Sequence, residues 1–478
     1  MNSANELQPR AIPGGYREVL AIAVPLILST SSTSLMHFVD RMFLSWYSPD
    51  ALAASLPAGV TWFTFASLFI GVAGYVSTFV SQYDGARRPE RIGAAVWQGI
   101  YFSLIGAACL AGLSLLAEPL FRFVGHAAAV RRNEIIYFRV MALGGGGAIL
   151  NAALSGFFSG RGRTWTVMWV NVAGAILNGV LDYCWIFGNA GFPERGIWGA
   201  AAATILATWA QVIAYLVLIL RQDHRRAYAT TRWRFDPDLF RRLLRYGVPS
   251  GLQMTADVTA FTVFVLLLGR IGKAELAASN VAFSVNSLIF VPMLGMAMAT
   301  TVLVGRYLGA GRPDDAARAT TTTARLTILY MGSFSLAIAI APDFFLAVFR
   351  PRQDAAGFEE VARVGRSLLY FVAGYSLVDG LNVTYSAALR GAGDTRYVLW
   401  MLLVLASGGL VIPAYVACGL LGAGIYSAWT ILTVYVVALA IAYWWRYRAG
   451  HWRSMRVIEH VPEPSIAFAE GPVVETPG

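Results

Sequence analysis

Charged residues are scarce in this 478-residue sequence: they make up 13% of it, against 57% hydrophobic residues, and the mean hydropathy is +0.58. An ordinary soluble domain carries about 25% charged residues. The composition therefore excludes a typical soluble protein and predicts an all-α, polytopic membrane protein that lies in a lipid bilayer.

Residues with reactive side chains are also few. Three cysteines, Cys109, Cys184 and Cys418, lie in or beside apolar segments without metal-ligand spacing, which excludes a disulfide framework and a zinc site. Lys273 is the only lysine, and its surroundings, GRIGKAE, are not a phosphate loop, which excludes an ATP-driven pump within this chain. With five histidines and neither G-x-S-x-G nor H-E-x-x-H, we expect no enzyme and no cofactor; an integral membrane enzyme is a weaker alternative.

Long apolar runs fill most of the sequence. Windows of about 20 residues, the length that crosses a bilayer as a helix, predict twelve transmembrane helices. Their approximate positions are 18–45, 52–82, 94–117, 135–158, 166–187, 197–220, 244–268, 277–304, 322–346, 365–389, 397–417 and 424–445.

The basic residues predict the orientation of these helices. If both termini are cytoplasmic, 25 basic residues lie on that side and 11 on the other, with Arg41 inside a helix. An excess of basic residues in cytoplasmic loops is typical of membrane proteins. We therefore expect a multi-pass protein of the cell inner membrane with both termini in the cytoplasm, and we read the net charge of +10 as topological, with no nucleic-acid partner.

The loop from Arg221 to Arg245 is the most basic connection and separates two sets of six helices. Its FDPDLFRRLLRYG segment predicts a capped amphipathic helix on the cytoplasmic surface. The predicted divisions are a cytoplasmic N-terminus at 1–17, a first lobe at 18–220, a basic cytoplasmic linker at 221–243, a second lobe at 244–446, and a disordered cytoplasmic tail at 447–478.

The two sets of helices are a repeat with an offset of 224 residues. This offset aligns Pro249 with Pro25, the LAAS of 276–279 with that of 52–55, Gly295 with Gly71, and GAGRP at 309–313 with GARRP at 85–89. Such a duplication predicts two similarly oriented six-helix lobes that are related by a pseudo-two-fold axis along the membrane normal.

The first helix combines an acid with a proline. Asp40 lies inside this apolar stretch, where an aspartate costs roughly 2.5–3.5 kcal/mol at a helix centre, so a function is the default interpretation. Pro25 removes a backbone hydrogen bond and gives the same helix a place to bend.

Every intramembrane acid occurs in only one lobe. In the first lobe, Asn178 and Asp182 are one turn apart on the fifth helix and could meet Asp40, with Thr204 of the sixth helix adding a hydroxyl. Their oxygens suit a sodium ion, and a buried pair of carboxyl groups also suits a proton, because the two groups repel each other when both are ionised. His37, three residues before Asp40, is a possible partner for the proton.

In the second lobe, Asp257 on the seventh helix and Asp379 on the tenth form another candidate site, with Tyr375 one turn before Asp379. Asp394 and Thr395 fit an ordinary N-cap of the eleventh helix.

Motifs in both halves resemble those of the multidrug and toxic compound extrusion (MATE) family, bacterial branch, over roughly residues 14 to 447. They are VPLILSTSSTSLMHFVDRMFLSW, ALAAS and SQYDGARRPERI in the first half, and GVPSGLQMTADVTAF, ELAASN, GRYLGAGRPDD and DGLNVTYSAALRGAGDT in the second.

The resemblance implies an efflux antiporter with a central cavity, driven by protons or sodium. Because such a cavity is expected to combine acids with aromatic residues, we expect its substrates to be small organic compounds, mainly amphipathic cations, and we expect a monomer. The resemblance also implies cation ligands at Asp40, Asn178, Asp182 and Thr204, a bend at Pro25, and a second-lobe cation or substrate site at Asp257, Tyr375 and Asp379. Asp257 stands where many members have glutamate. A flippase for lipid-linked sugars is the nearest alternative; it would need cavity arginines, whereas the midspan charges here are acidic.

Overall fold

The computed structural model describes residues 12–349 and 355–459, and every regular element in these two ranges is a helix. Apolar helices satisfy their backbone hydrogen bonds internally, as a bilayer requires of any segment that crosses it. The prediction of an all-α, polytopic membrane protein is confirmed.

The first half of the chain holds ten helices in the described ranges. They are α1 Tyr16–Tyr47, α2 Pro49–Gly74, α3 Val76–Gly85, α4 Pro89–Leu113, α5 Ala117–Val124, α6 Ala128–Gly144, α7 Gly146–Ser159, α8 Thr164–Phe187, α9 Gly196–Ile219 and α10 Gln222–Tyr228. A short 3₁₀ turn, Ser114–Leu116, joins α4 to α5.

The second half repeats the pattern. Its helices are α11 Pro237–Leu268, α12 Lys273–Gly309, α13 Pro313–Ile340, α14 Pro342–Ala347, α15 Ala355–Ala392, α16 Thr395–Leu405, α17 Ile412–Ala414 and α18 Ile425–Arg448. Wider π-type turns, Ala406–Val411 and Tyr415–Leu420, flank α17, and Pro413 in this stretch has no N–H to donate.

The expected spans coincide with these helices. Ten helices, some of them consecutive pairs, are long and apolar enough to cross a membrane, and α6 with α7, bent by 42°, makes an eleventh. The tenth expected span falls on α15, a 38-residue helix that carries the polar residues Asp379 and Asn382. Each expected span therefore matches one helix or a consecutive series of helical segments.

The prediction of a separate amphipathic helix before the seventh span is wrong. Its residues form the first turns of α11, which continues to Leu268 without a break. The predicted cap is present, because the Asp236 carboxylate accepts the Leu239 N–H at 3.0 Å. Once this cap has started the helix, the apolar sequence that follows extends it directly into the span.

Two further expectations are corrected. Asp394 precedes α16 but does not cap it with its side chain; the carboxylate instead accepts a hydrogen bond from Arg446 Nε at 2.7 Å. The tail is not disordered over 447–459, because Trp452 and Val457 are each 1% exposed. Residues 460–478 of the predicted tail lie outside the described residues.

The two lobes meet along helices that the repeat relates: α1 packs on α12, and α2 packs on α11. A Cβ atom added to Gly295 would lie 2.5 Å from the Ile27 nitrogen, and one added to Gly71 would lie 2.6 Å from the Gly251 Cα. The two contacts are equivalent, because the offset of 224 relates Ile27 to Gly251 and Gly71 to Gly295. The seam between the lobes therefore has the two-fold character that the duplication predicts.

On the face where α1 begins, called here the closed face, α3 of the first lobe crosses α12 of the second. A Cβ atom added to Gly309 would lie 2.8 Å from the Gln82 Cα, and one added to Gly85 would lie 2.8 Å from the Arg306 carbonyl carbon. The repeat also relates these positions, Gly85 to Gly309 and Gln82 to Arg306. Glycine at both positions lets the two backbones approach closely.

Among the described residues, polar contacts between the lobes are confined to one half of the molecule. Near mid-helix, the Thr30 hydroxyl donates to the Val291 carbonyl at 3.4 Å, and the Ser67 and Thr255 hydroxyls lie 2.9 Å apart. The other hydrogen bonds and ion pairs between the lobes lie nearer the closed face, and none in the described ranges joins the opposite helix ends. Polar contacts thus hold the cleft between the lobes shut at the closed face. At its other end, no hydrogen bond or ion pair in the described ranges joins the lobes.

Candidate functional site

Asp40 lies inside the first lobe, where only 5% of the residue is exposed. Helix α1 is unbroken from Tyr16 to Tyr47 and packs on both α8 and α9. Three helices therefore surround this carboxyl group.

The other three residues predicted for this site contact Asp40 or one another. Thr204 Oγ1 donates to Asp40 Oδ2 at 3.3 Å. With the Asn178 amide turned so that both of its ends are satisfied, its nitrogen donates to Asp40 Oδ1 at 2.7 Å and its oxygen accepts the Thr204 N–H at 3.3 Å. We refer to Asp40, Asn178, Asp182 and Thr204 together as the Asp40 cluster.

Asp182 completes the cluster from the next turn of α8. It is fully buried and close enough to Asp40 for the two side chains to share a hydrogen bond. Its Oδ1 atom has no hydrogen-bond partner among the described residues. A buried carboxylate oxygen without a partner is costly, and two ionised carboxylates side by side repel each other. A proton or a hard monovalent cation at this position would relieve both costs.

His37 is the cluster's link to a cavity in the first lobe. Its Nδ1 lies 3.8 Å from Asp40 Oδ2, and its side chain is 54% exposed. The cavity has a volume of about 270 Å³ and is bounded by α1, α2, α6, α7, α8 and α9. Its lining includes His37, Thr204, the aromatic rings of Trp62 and Phe63, and several amide side chains, so a hydrated ion could approach the cluster from this side.

The second-lobe residues are less tightly assembled. Asp379 accepts a hydrogen bond from Asn382 Nδ2, three residues later on α15, at 3.1 Å. Tyr375 is 4% exposed, and its ring centre is 6.5 Å from that of Trp429. Tyr375 and Asp379 are close enough to interact electrostatically, but no hydrogen bond joins them in the described residues.

Asp257 faces these groups from α11 and is exposed. The charged groups that act on it are Arg390 and Asp379, and it makes no described hydrogen bond to either. The structure therefore gathers a loose group of two acids and one arginine here, in contrast to the hydrogen-bonded Asp40 cluster.

Pro25 lies in the closed-face half of α1, two residues before the Ile27 contact with Gly295. The helix continues through it, so the proline weakens the hydrogen-bonding of α1 at the seam without ending the helix. Asp40 and the contact between the lobes are thus parts of one helix, with Pro25 beside the contact.

The family follows from comparison with known proteins. The chain matches the MatE family over residues 25–184 and 249–416, which is more than half of its length. The chain belongs to the MatE family. The resemblance that the sequence motifs indicated is confirmed.

Relatives of this MATE protein are named as multidrug resistance proteins. A probable multidrug resistance protein NorM from Burkholderia mallei is 30% identical over 429 residues, which cover 89% of this chain and 91% of the relative. The multidrug resistance protein PmpM from Pseudomonas aeruginosa is 29% identical over 407 residues, 84% of each chain. A solved multidrug resistance MATE transporter of the MOP superfamily, in an outward-facing conformation, has a TM-score of 0.83 at 21% identity and covers 93% of this chain and 97% of its own, which supports the fold.

The first-lobe cavity of this MATE protein also contains polar residues that were not predicted from the sequence. Asn151 donates to Gln211 at 2.5 Å, and Asn171 donates to Ser29 at 2.6 Å. One signal was available: Asn171 is two turns before Asn178 on the same face of α8. In the second lobe, Arg390 was not predicted as part of the site, because only the acids within the spans and their neighbours were considered as candidates.

Proposed function

We propose that this protein is an antiporter that exports organic compounds while protons or sodium ions move inward, by alternating exposure of the cleft between its lobes. The observation that carries the proposal is the Asp40 cluster, in which two buried carboxyl groups adjoin and one oxygen of Asp182 has no described partner. Such a site changes its interaction energy strongly when a single positive charge enters or leaves. The names of the relatives support multidrug efflux as the direction and purpose of transport.

Coupling follows from the position of Asp40 on α1. The helix packs on α8 through the cluster and on α12 through the seam, so its shape affects the cavity and the contact between the lobes together. A positive charge at the cluster removes the repulsion between Asp40 and Asp182 and allows α1 to bend near Pro25. A ligand shifts a conformational equilibrium only by its difference in affinity for the two states, so coupling requires that the cluster differ between them.

The preferred substrates are amphipathic organic cations. Asp257 and Asp379 supply negative charge, and Arg390 offsets part of it, which leaves a modest preference for cations. Tyr375 and Trp429 are buried beside these acids and pack on each other, so the preference for cations rests on the charges of the two acids. The protein moves these compounds without changing them chemically.

The protein acts as a monomer in the cell inner membrane, with both termini in the cytoplasm. The arrangement of basic residues supports this orientation, since 25 of them lie on the side of the termini and 11 on the other. In this orientation the closed face is cytoplasmic, and the cleft is closed toward the cytoplasm.

Transport in proteoliposomes tests the proposal. A pH gradient and a sodium gradient are imposed separately, and efflux of a fluorescent organic cation is followed for the parent protein, for Asp40→Asn and for Asp50→Asn. Asp50 is an exposed acid near the start of α2 and serves as the matched control. We expect one of the two gradients to drive efflux by the parent protein and by Asp50→Asn, and neither to drive it by Asp40→Asn.

The same Asp40→Asn protein should still bind substrate, because the cluster is separate from the second-lobe acids. Efflux by Asp40→Asn at the parent rate, with equal amounts of reconstituted protein, would contradict the assignment of Asp40 as the coupling residue. Failure of both gradients to drive the parent protein would contradict antiport itself.

A further inference from the structure

The last described residues of the chain, 451–459, cross the closed face; we call them the terminal strap. After α18 ends at Arg448, a 3₁₀ turn places Trp452 against the second lobe. The Trp452 ring stacks on Tyr447 with centres 4.9 Å apart, and its Nε1 donates to the Tyr447 carbonyl at 2.8 Å. Trp452 is 1% exposed, so it anchors the strap to its own lobe.

Beyond this anchor, the strap reaches the first lobe. The Val457 N–H donates to Gln82 Oε1 at 2.8 Å, and the Tyr83 hydroxyl donates to the Glu459 carboxylate at 2.7 Å. Arg91 Nε lies 3.1 Å and an Arg88 terminal nitrogen 3.0 Å from the same carboxylate. Residues that follow the twelfth span thus bind the helices of the second and third spans.

Glu459 also contacts the second lobe, because Arg242 Nη1 of α11 lies 3.8 Å from Glu459 Oε2. Three guanidinium groups, two from the first lobe and one from the second, therefore surround one carboxylate that is only 24% exposed. Arg91 has a second partner in Asp236 at 3.0 Å, and Arg88 has one in Glu90 at 3.9 Å, but within 4 Å Arg242 has only Glu459 as an acidic partner among the described residues. Loss of Glu459 would therefore leave Arg242 facing two arginines of the first lobe whose charges are only partly offset.

A matching contact occurs at the other end of the chain. The Tyr307 hydroxyl of α12 donates to Glu18 at 2.5 Å and accepts the Gly14 N–H at 3.0 Å. The offset of 224 relates Tyr307 to Tyr83 and Glu18 to Arg242. The first half thus carries its acid on α1, whereas the second half has an arginine at the equivalent position of α11 and receives its acid from the strap.

The carboxylate of Glu459 is held in its ionised form. Burial alone raises the pKa of Glu459, but the hydrogen bond from Tyr83 and the charges of Arg91 and Arg88 outweigh it, so the pKa lies below its ordinary value. Hydrogen bonds to an ionised group are stronger than those between neutral groups.

We propose that the terminal strap is a latch that helps to hold the closed face shut, with Glu459 as its ionic contact to both lobes. The strap is anchored to α18 through Trp452, and its far end binds Gln82, Tyr83, Arg88 and Arg91. Opening of this face moves those four residues away from α18, so the contacts of Val457 and Glu459 must break. The strap therefore stabilises the state that is closed on this face and sets how often the protein opens there.

The role of the strap rests on the alternating access proposed above, and its test needs neither substrate nor gradient. Spin labels are attached at Arg163→Cys and Arg396→Cys, which are exposed on the closed face in different lobes, after the three native cysteines are replaced by serine. Double electron–electron resonance then gives the populations of short and long distances. We expect Glu459→Ala to lower the ratio of short to long distances about tenfold, a typical size for a coupling of this kind.

Two truncated proteins separate the strap from the residues that follow it. A chain that ends at Glu459 retains every described contact of the strap and should keep the parent distribution. A chain that ends at Gly450 lacks the strap and should shift at least as far as Glu459→Ala. Equal distributions for the two truncated chains would overturn the proposal.

A rescue variant tests the equivalence of the two chain ends. Arg242→Glu combined with Glu459→Ala places an acid on α11 where Glu18 stands on α1, within reach of Tyr83 as Glu18 is of Tyr307. We expect this double variant to restore most of the short-distance population. If Glu459→Ala leaves the distribution unchanged in a protein that elutes as the folded parent does, the latch is refuted, whatever the outcome of the transport assays.

Discussion

The crossing of α3 and α12 on the closed face offers a sharp test of how the lobes close. Gly309→Ala would place a methyl carbon 2.8 Å from the Gln82 Cα and 2.7 Å from its carbonyl carbon. Favourable carbon–carbon contacts begin at about 3.5 Å, so backbone atoms must move by several tenths of an ångström or more. Because the obstacle is backbone and not a flexible side chain, rotamer changes cannot relieve it.

The free-energy cost of Gly309→Ala follows from this overlap. Overpacking by one methyl group in a close-packed region costs about 1–3 kcal/mol. The cost falls only on the state in which the two helices cross, so the equilibrium should shift toward opening of the closed face by about 5- to 150-fold. Gly85→Ala, at the repeat-related position, should act in the same direction because its Cβ would meet the Arg306 backbone.

The spin-label pair at Arg163 and Arg396 measures this shift directly. Gly374→Ala is the matched control: it makes the same change within a transmembrane helix, where a Cβ atom would meet nothing within 4 Å. The gain in helix propensity from glycine to alanine stabilises the helix in the open and the closed state alike, so it does not change their ratio. If the Gly309→Ala and Gly374→Ala proteins show the same distance distribution, the glycine crossing does not hold the closed face, and the reasoning is refuted.

Three other measurements follow. Asp257→Asn and Asp379→Asn should reduce export of organic cations more than export of neutral compounds, because each removes negative charge from the second-lobe group; equal export of every compound would make these acids structural. Cysteines placed at Arg225 and at Asp50 should react with impermeant reagents from opposite sides of the membrane, and reaction from the same side would contradict the topology. Because the pKa of Glu459 lies below its ordinary value, its contribution to the latch is present above that ordinary value and is lost only as the pH falls through the lowered pKa. The difference in spin-label distances between the parent protein and Glu459→Ala should therefore stay constant from about pH 8 to about pH 5, and loss of that difference within the window would count against Glu459 as the latch.

The transmembrane helices could be located from the sequence because the bilayer restricts the composition and length of any segment that crosses it. A segment that crosses hydrocarbon must be apolar, about 20 residues long and helical, so each span is a local property of the chain. The internal repeat was also readable, because the offset of 224 keeps Pro25 and Pro249, and Gly71 and Gly295, in register. These are pairs of residue types at a fixed spacing and need no knowledge of contacts.

The Asp40 cluster was predictable for a related reason. An aspartate inside a spanning helix is costly, so Asp40 and Asp182 stood out, and the four-residue spacing placed Asn178 and Asp182 on one face of a helix. Asn151, Asn171 and Gln211 could not be predicted in the same way, because neutral amides in a membrane carry no comparable penalty and often only join helices.

The sequence alone determined which segments span the membrane, that the chain is a duplication, and which buried acids need a partner, since each follows from local composition or spacing. Only the tertiary structure decided which face is closed, that Asp394 pairs with Arg446, and that Glu459 joins arginines of both lobes. These contacts join residues far apart in the chain, Tyr83 and Glu459 being 376 positions apart, and their energy depends on distance and burial. A charged residue in a polar tail looks the same in the sequence whether it is solvated or bound, so the strap could be recognised only once the fold placed residues 451–459 beside Tyr83, Arg88 and Arg91.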